Sequence, residues 1–282
     1  MKLALGSVQF GLRYGVNNQS GIPNNKEISL VLEHAKVNGI NILDSASTYG
    51  NAEIKLGELG CVEFDIVSKF SNITDPSELS TQLTNSLNAL NKESLYGYLA
   101  HNADILIKFP LLWHELLTQK NKGIIKKIGY SLYTTAQLES LLKLEMIPDI
   151  VQLPYSLLDR KFEIYFEQLK SLGTEIHSRS AFLQGLYFFD LNSLPIKFES
   201  LRNELIQLNA MCIENKISIG SLALNFVYNN PHIDKVVIGV DTLDQLKKNL
   251  HFLNEYDLKN EVTMKIKNIE TKFPKMLNPA NW

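Results

Sequence analysis

The amino-acid sequence predicts a single-domain (β/α)8 TIM barrel over residues 1–282, with a short C-terminal helix and tail. Short apolar runs alternate with helical patterns from one end of the chain to the other. About eight such units of roughly 35 residues each make one barrel of typical size. No Pro-rich or Gly/Ser-rich linker divides the 282 residues, which favours one large domain over two.

A doubly wound parallel sheet is the alternative, because strand–helix alternation also fits that fold. Such a sheet binds dinucleotides through a G-x-G-x-x-G turn after its first strand. Gly6, Gly11 and Gly15 follow the first apolar run with a different spacing. The barrel is therefore the favoured prediction.

The strands are predicted from apolar runs of strand length. The first begins at Leu3, and the others lie at residues 40–43, 64–67, 95–99, 128–132, 150–153, 174–176 and 236–238. Continuous apolar runs of this length are typical of parallel strands that are covered on both faces.

The helices are predicted from apolar residues that recur with the spacing of one buried face. These stripes lie at residues 28–35, 79–90, 138–142, 162–169, 243–253 and 262–273, with a further helix from 110 and a helical stretch over 198–227 that is interrupted near 218–220. Asp75 and Pro76 suit the N-cap and first turn of the second helix, and Gly173 suits a helix C-terminus.

Charge and cysteine content exclude several classes of function. Lys and Arg number 28 against 30 Asp and Glu, so the net charge of −2 lacks the basic excess of nucleic-acid-binding proteins. Cys61 and Cys212 lie far apart, without a second Cys or His at metal spacing, which argues against disulfides and a metal site. Neither a signal sequence nor a membrane-length apolar run is present, so we expect a cytoplasmic protein without membrane partners.

Polar side chains close three consecutive predicted strands. Asp44 follows the second strand and Tyr49 lies in the loop after it, Lys69 closes the third strand, and His101 closes the fourth. Taken singly, such residues are more often helix caps, solvated charges or structural residues. The carboxyl ends of barrel strands meet at one mouth, so we expect these four side chains to lie together.

This combination of groups suits the reduction of a carbonyl. A phenol is protonated at neutral pH and can deliver its proton to a carbonyl oxygen. A neighbouring ammonium would stabilise the phenolate and lower the phenol pKa, a carboxylate would position that ammonium, and an imidazole could orient the carbonyl. Two other interpretations stay open: a cofactor-binding or regulatory barrel with little turnover, and a Schiff-base aldolase or isomerase with Lys69 as nucleophile.

The motifs around these residues resemble those of the aldo-keto reductases. The family's second-strand motif is similar to NILDSA at 41–46 with YGNAE at 49–53, and its next two motifs are similar to SK at 68–69 and HNAD at 101–104. The family's catalytic tetrad thus falls on Asp44, Tyr49, Lys69 and His101. Further similarity at IGYS (128–131), VQL (151–153), SRS (178–180) and VIG (237–239) extends the resemblance over nearly the whole chain.

The resemblance implies an NAD(P)H-dependent carbonyl reductase in which Tyr49 is the general acid. NADPH is the expected cofactor, NADH is the other candidate, and no metal is implied. The implied cofactor contacts are Ser131 and Gln152 with the carboxamide, Arg179 with the nicotinamide ring, Ser180 with the pyrophosphate, and Gly239, Thr242, Gln245 and Asn249 with the adenosine end. The implied partner is a small-molecule carbonyl compound, sugar-derived by similarity to bacterial members.

Three features depart from the family pattern. Leu132 stands where an Asn commonly follows the fifth-strand Ser, and Arg179 replaces an aromatic residue. Gly239 and Gln245 occupy positions at which many members hold the 2′-phosphate with basic side chains. This last departure weakens the expectation of NADPH over NADH.

Three other segments lie near the expected site. The loop over residues 6–15 would border the pocket. Lys247 and Lys248 follow the final cofactor motif and are interpreted as a solvated helix face. The brief tail that contains Pro279 and Trp282 corresponds to a segment that walls the substrate site in the family, so we expect an open pocket.

Overall fold

The computed structural model of the protein describes residues 1–16, 18, 21–278 and 281–282. Its strands are β1 (Leu3–Gly6), β2 (Ile42–Asp44), β3 (Asp65–Phe70), β4 (Leu95–Ala100), β5 (Ile125–Ser131), β6 (Ile150–Pro154), β7 (Glu175–Arg179) and β8 (Lys235–Gly239). Within the described residues these eight strands form a closed parallel barrel in chain order, in which β1 pairs with both β2 and β8. The predicted barrel is confirmed, and closure of the sheet excludes the doubly wound alternative.

One or two helices follow each strand and surround the barrel. The helices of the described chain are α1 (Val8–Gly11), α2 (Asn25–Val37), α3 (Ala52–Leu59), α4 (Pro76–Leu90), α5 (Asp104–Lys108), α6 (Leu111–Asn121), α7 (Thr135–Lys143), α8 (Phe166–Ser171), α9 (Arg202–Asn215), α10 (Ile219–Tyr228), α11 (Leu243–Glu255) and α12 (Asn260–Lys267). Asp75 caps α4 as expected, with Pro76 in the first turn.

The predicted helical stretch over 198–227 is divided differently from the prediction. Its interruption lies at residues 216–218, between α9 and α10, and not at 218–220. Lys216 ends α9 in the left-handed conformation (φ 52°). Ser218 then caps α10, because its hydroxyl accepts the N–H of Ser221 at 3.1 Å, so Gly220 belongs to the helix.

An apolar layer fills the barrel interior beneath the mouth. It takes one side chain from each of five strands: Ala4, Ile42, Val67, Leu99 and Ile150. Side chains two residues apart on a strand point to the same face. Asp44, Lys69 and Gln152 each lie two residues beyond a member of this layer, so strand geometry alone turns them inward at the mouth.

The described residues contain neither a membrane-length apolar helix nor a group of metal-ligating side chains. None of the described helices is long and apolar enough to cross a membrane. Within the same residues, no three His, Cys, Asp or Glu side chains are grouped to hold a metal ion.

In the tail, Trp282 packs edge-on against Phe198, with 4.8 Å between ring centroids. Pro279 lies outside the described residues.

Candidate active site

A buried ion pair lies at the centre of the barrel mouth. Lys69 Nζ donates hydrogen bonds to Asp44 Oδ1 and to the carbonyl oxygen of Ser45, both at 2.7 Å. Gln152 Nε2 donates to the other carboxylate oxygen, Asp44 Oδ2, at 2.6 Å. Lys69 is fully buried. Because both charges are paired and hydrogen-bonded, the interior tolerates them, and the ammonium is held in one position.

Tyr49 lies beside this pair, in the loop between β2 and α3. Lys69 Nζ is 5.3 Å from the centroid of the Tyr49 ring. Burial raises the pKa of the Tyr49 phenol well above its ordinary value, and the negative charge of Asp44 raises it further. The expected lowering of this pKa is therefore wrong in direction, because desolvation of the phenolate and the charge of Asp44 outweigh the opposing positive charge, which comes from Arg179. Tyr49 keeps its proton at neutral pH.

His101 faces the Tyr49 ring from the end of β4. The two rings meet edge-on, with 5.5 Å between centroids. The Nδ1 atom lies 3.1 Å from Thr48 Oγ1. Burial lowers the pKa of His101 to about 4, and the positive charge of Lys69 adds to this effect. His101 is therefore a neutral imidazole near pH 7, which can orient a polar group without adding charge.

Two glycines fix the position of the Tyr49 loop from behind. Gly11, at the end of α1, packs so closely that a Cβ on it would overlap the carbonyl oxygen of Tyr49. Gly50 has φ +59° and approaches the carbonyl oxygen of Gly11 in turn. Lys55 Nζ also donates to the carbonyl oxygen of Phe10 at 2.8 Å. Main-chain packing between the first two loops thus holds the phenol at the mouth.

Two connected cavities open at this mouth. The larger, of about 360 Å³, extends from Asp44 and Tyr49 past Gly239 to Asp241 and to Phe252 on α11. The smaller, of about 280 Å³, is a recess lined by both polar and apolar surface, and its walls include Thr48, His101, Ser131 and Tyr133. Tyr49, Gln152 and Arg179 line both cavities, so the Tyr49 phenol lies where the two meet.

Comparison with known families decides the assignment. The model of the aldo/keto reductase family matches residues 2–271. The chain belongs to the aldo/keto reductase family. This membership supports an oxidoreductase of the carbonyl-reductase type that acts on small molecules, in a family that generally uses NAD(P)H. No curated protein matches the sequence significantly.

Solved aldo-keto reductases share the fold. The holo form of aldo-keto reductase AKR11C1 from Bacillus halodurans is 19% identical, with 97% of this chain and 95% of that chain covered and a TM-score of 0.77. A Pseudomonas aeruginosa protein assigned to the aldo-keto reductases is 22% identical, with 90% of each chain covered and a TM-score of 0.69. The thermostable aldo-keto reductase Tm1743, in complex with the inhibitor epalrestat, is 21% identical, with 94% of each chain covered and a TM-score of 0.71.

Most of the residues expected to contact an aldo-keto reductase cofactor surround the larger cavity. They are Gln152, Arg179, Ser180, Gly239, Gln245 and Asn249. Ser131 lines the neighbouring recess. Thr242 is the N-cap of α11, and its side chain accepts the N–H of Gln245 at 3.2 Å. The fold therefore gathers seven of these eight residues at the two cavities, and Thr242 begins the adjoining helix.

Arg179 crosses the mouth from β7 toward the loop after β5. Its guanidinium lies 4.4 Å from the centroid of the Tyr133 ring. An Nη atom donates to the carbonyl oxygen of Leu132 at 3.0 Å. The next residue, Ser180, has φ +64°, so the chain turns sharply there. In this arrangement Arg179 ties two loops together while its side chain borders both cavities.

Sequence reasoning missed several residues that line the larger cavity. Phe182 and Phe188 come from the irregular segment after β7, where no periodic signal marks them. Asp241 lies between two expected cofactor residues, and that position could have indicated it. Lys248 was expected on a solvated helix face; it is exposed but also lines the cavity, with Nζ 5.7 Å from the centroid of the Phe252 ring.

The loop over residues 6–15 borders the pocket, as expected. Gln9, Tyr14 and Gly15 line the larger cavity. Tyr14 accepts a hydrogen bond from Gln184 Nε2 at 2.7 Å, which joins this loop to the segment after β7. The two loops are therefore joined, and together they form one continuous wall of the larger cavity.

Proposed function

We propose that the protein reduces an aldehyde or ketone to an alcohol with NAD(P)H, and that Tyr49 donates the proton. One observation carries the proposal: a protonated, half-buried phenol lies at the junction of two cavities, beside a fixed ammonium and a neutral imidazole. A bound reduced nicotinamide would supply the hydride that the carbonyl carbon accepts. The electron pair of the C=O π bond moves to oxygen, which takes the Tyr49 proton.

The tetrad side chains have separate tasks in this reaction. Tyr49 holds its proton until the carbonyl oxygen gains negative charge, since its raised pKa keeps it neutral. Lys69 then stabilises the phenolate, and Asp44 keeps the ammonium in place. His101 is positioned to orient the carbonyl oxygen from the recess. General acid catalysis of this kind contributes about 10²–10⁴-fold to a rate.

The residues of the larger cavity fit a nicotinamide cofactor. Gln9 is 9% exposed, and its Oε1 atom has no hydrogen-bond partner among the described residues although it is buried at the cavity wall. A Cβ on Gly239 would overlap the Gln9 amide, so a side chain there would displace this amide from its place at the cavity wall. A buried, unpaired acceptor beside a glycine cradle is suited to a polar ligand.

We assign the cofactor contacts from these positions. Ser131 and Gln152 would hold the carboxamide, Arg179 would lie against the nicotinamide ring, and Ser180 would approach the pyrophosphate. The adenosine end would be surrounded by Gly239, Thr242, Gln245 and Asn249. The family resemblance favours NADPH, with NADH as the other candidate.

The smaller recess suggests the class of substrate. Hydroxyl groups of Thr48, Ser131 and Tyr133 line it together with His101. Several hydrogen-bonding groups in one recess suit a substrate that carries hydroxyl groups near its carbonyl. A sugar-derived aldehyde or ketone meets this description.

A cofactor-binding barrel with little turnover is the second candidate. Two residues assigned to the nicotinamide have protein partners in this structure: Gln152 donates to Asp44, and Arg179 donates to Leu132. Both bonds would have to be shared or exchanged when a cofactor binds. The Schiff-base hypothesis has no comparable support, because Lys69 Nζ is buried and engaged by two acceptors.

Transfer of deuterium tests the proposed function. The protein is incubated with NADH or NADPH deuterated at the transferable position and with a panel of hydroxylated and simple carbonyl compounds. We expect product alcohols that contain one deuterium on the former carbonyl carbon, detected by mass spectrometry. Binding of either cofactor without any labelled alcohol across the panel would favour the second candidate.

A further inference from the structure

A carboxylate lies at the end of the larger cavity that is remote from Tyr49. Asp241 follows β8, lines the cavity and is 9% exposed. Asn18 Nδ2 donates to its Oδ1 at 2.8 Å, and Gln245 Nε2 lies 3.4 Å from its Oδ2. Two oxygens of an ionised carboxylate offer about four acceptor sites, so this group can accept a further hydrogen bond from a ligand.

The position of Asp241 relative to the tetrad identifies the part of a cofactor it would meet. Asp44 and Gln152 lie at the barrel axis, whereas Gln245 and Phe252 belong to α11 in the outer layer of helices. A dinucleotide whose nicotinamide reaches Tyr49 must place its other end toward α11. Asp241 therefore faces the adenosine half of the cofactor.

A carboxylate at this place distinguishes the two nicotinamide cofactors. An acidic side chain accepts a hydrogen bond from the 2′-hydroxyl of an NADH ribose, whereas a 2′-phosphate requires a basic partner. Burial raises the pKa of Asp241, since the ionised carboxylate is poorly solvated there. A hydroxyl donor would relieve this cost, and a phosphate would add a second negative charge in a place with little water.

The cations near Asp241 do not form a phosphate site with it. Lys248 lines the cavity, but its Nζ lies over the Phe252 ring. Arg13 is exposed, and its Nη donates to the carbonyl oxygen of Asn18 at 3.4 Å. Neither cation forms an ion pair with Asp241 among the described residues.

We propose that Asp241 makes the protein select NADH over NADPH. This inference rests on the proposed function, because it concerns the cofactor of the same site. It names a specificity residue that is distinct from the tetrad and that opposes the NADPH expected from the family resemblance.

Equilibrium binding of each cofactor tests the proposal without catalysis. Titrations of the purified protein with NADH and with NADPH are followed by intrinsic fluorescence or calorimetry. For the native protein we expect Kd for NADPH to exceed Kd for NADH by about tenfold or more, because like charges at an interface are strongly unfavourable. Added salt should narrow this ratio, since it screens the carboxylate.

Substitution of the carboxylate should remove the preference. Asp241→Asn keeps the acceptor for Asn18 and removes the charge, so NADPH should bind more tightly and the ratio should fall to about threefold or less. Asp241→Ser serves as a second variant if the Asp241→Asn protein fails to fold. Asp244→Asn is the matched control, because it removes the same charge from the first turn of α11 at a side chain that is 93% exposed. It should retain the preference.

The outcomes separate this inference from the proposed function. Tighter binding of NADH that is lost in Asp241→Asn and kept in Asp244→Asn supports the proposal. Equal or tighter binding of NADPH to the native protein overturns it and leaves the reductase function intact. Loss of that NADPH binding in Lys248→Met or Arg13→Gln would show which cation outweighs the carboxylate. Failure of both cofactors to bind overturns the proposed function as well.

Discussion

The two ends of the larger cavity are built by different means. At the catalytic end, side chains of β2, β3 and β6 bond to one another through the carboxylate of Asp44. At the end near α11, side chains mainly satisfy the main chain: Thr242 caps the helix, and Gln245 Oε1 accepts the N–H of Asp241 at 2.7 Å. We infer that changes at the first end act chiefly on the reaction, and changes at the second on cofactor affinity and local stability.

Loss of the phenol is expected to have the largest effect. Tyr49→Phe removes the proposed proton donor and should lower kcat by about 10²–10⁴-fold while cofactor binding persists. Steady-state rates and a binding titration check this. Tyr165→Phe is the control, since this half-buried tyrosine donates to Glu139 on α7 and lines neither cavity. A Tyr49→Phe enzyme of full activity would contradict the role of the catalytic end.

Breaking the buried ion pair should cost stability as well as rate. Lys69→Met leaves Asp44 buried without its cation and should lower the free energy of unfolding by about 3–5 kcal/mol. Denaturant unfolding measures this change. Lys36→Met interrupts the exposed pair with Glu63 and should alter it by less than about 1 kcal/mol. Similar losses in the two variants would show that the mouth is not stabilised by this pair.

A methyl group behind the proton donor should disturb both packing and rate. Gly11→Ala would force the first two loops apart, at a cost of about 1–3 kcal/mol, and should lower kcat because Tyr49 moves with its main chain. Gly39→Ala is a useful comparison: it has φ +74° but open space around it, so it should lose stability and keep kcat. Unchanged kcat in Gly11→Ala would argue against the packing of the two loops as the support of Tyr49.

The neutral His101 predicts a dependence of stability on pH. Its folded pKa of about 4 lies below the unfolded value of about 6.5, so the unfolded chain binds more protons between these values. Stability should therefore decline as the pH falls through this window, by about 1–2 kcal/mol at about pH 5. Denaturant unfolding of the native protein and of His101→Asn is compared at about pH 7 and at about pH 5. Equal declines in both proteins would refute the assignment to His101.

The smallest effect is expected at the α11 end. Thr242→Ala removes a helix cap and should cost about 1 kcal/mol of stability; the loosened helix start should also raise the Kd for the cofactor, with kcat unchanged at saturation. Thr134→Ala removes an equivalent cap from α7, because the Thr134 hydroxyl accepts the N–H of Gln137. It should lose similar stability with no change in Kd. A fall in kcat for Thr242→Ala would contradict the inference that changes at the end near α11 act on cofactor affinity and local stability.

The same contrast explains what the sequence could predict. The positions of Asp44 and Lys69 follow from strand parity and from the rule that carboxyl ends share one mouth. Such reasoning needs only the order of strands, so the fold and the grouping of these side chains were accessible. It cannot give the partner of Gln152 or the direction of Arg179, because these depend on contacts between strands remote in sequence.

The electrostatic properties of the site also could not be predicted from the sequence. Lys69 alone suggests a lowered phenol pKa for Tyr49, whereas the structure raises it through burial and Asp44. Burial depends on how completely the loops close over the ring, which no local pattern records. Asp241 is a similar case, since its residue type was visible but its place at the cavity wall was not.

The glycine contact behind Tyr49 has a consequence for redesign of the protein. Because Gly11 and Gly50 hold the proton donor through the main chain, its position does not depend on the side chains that line the recess. Under the proposed function, Thr48 and Tyr133 can therefore be varied to accept other carbonyl compounds without rebuilding the main-chain support of Tyr49. Substrate range would then be adjusted at side chains of the recess, whereas the position of the phenol is set by the main chain.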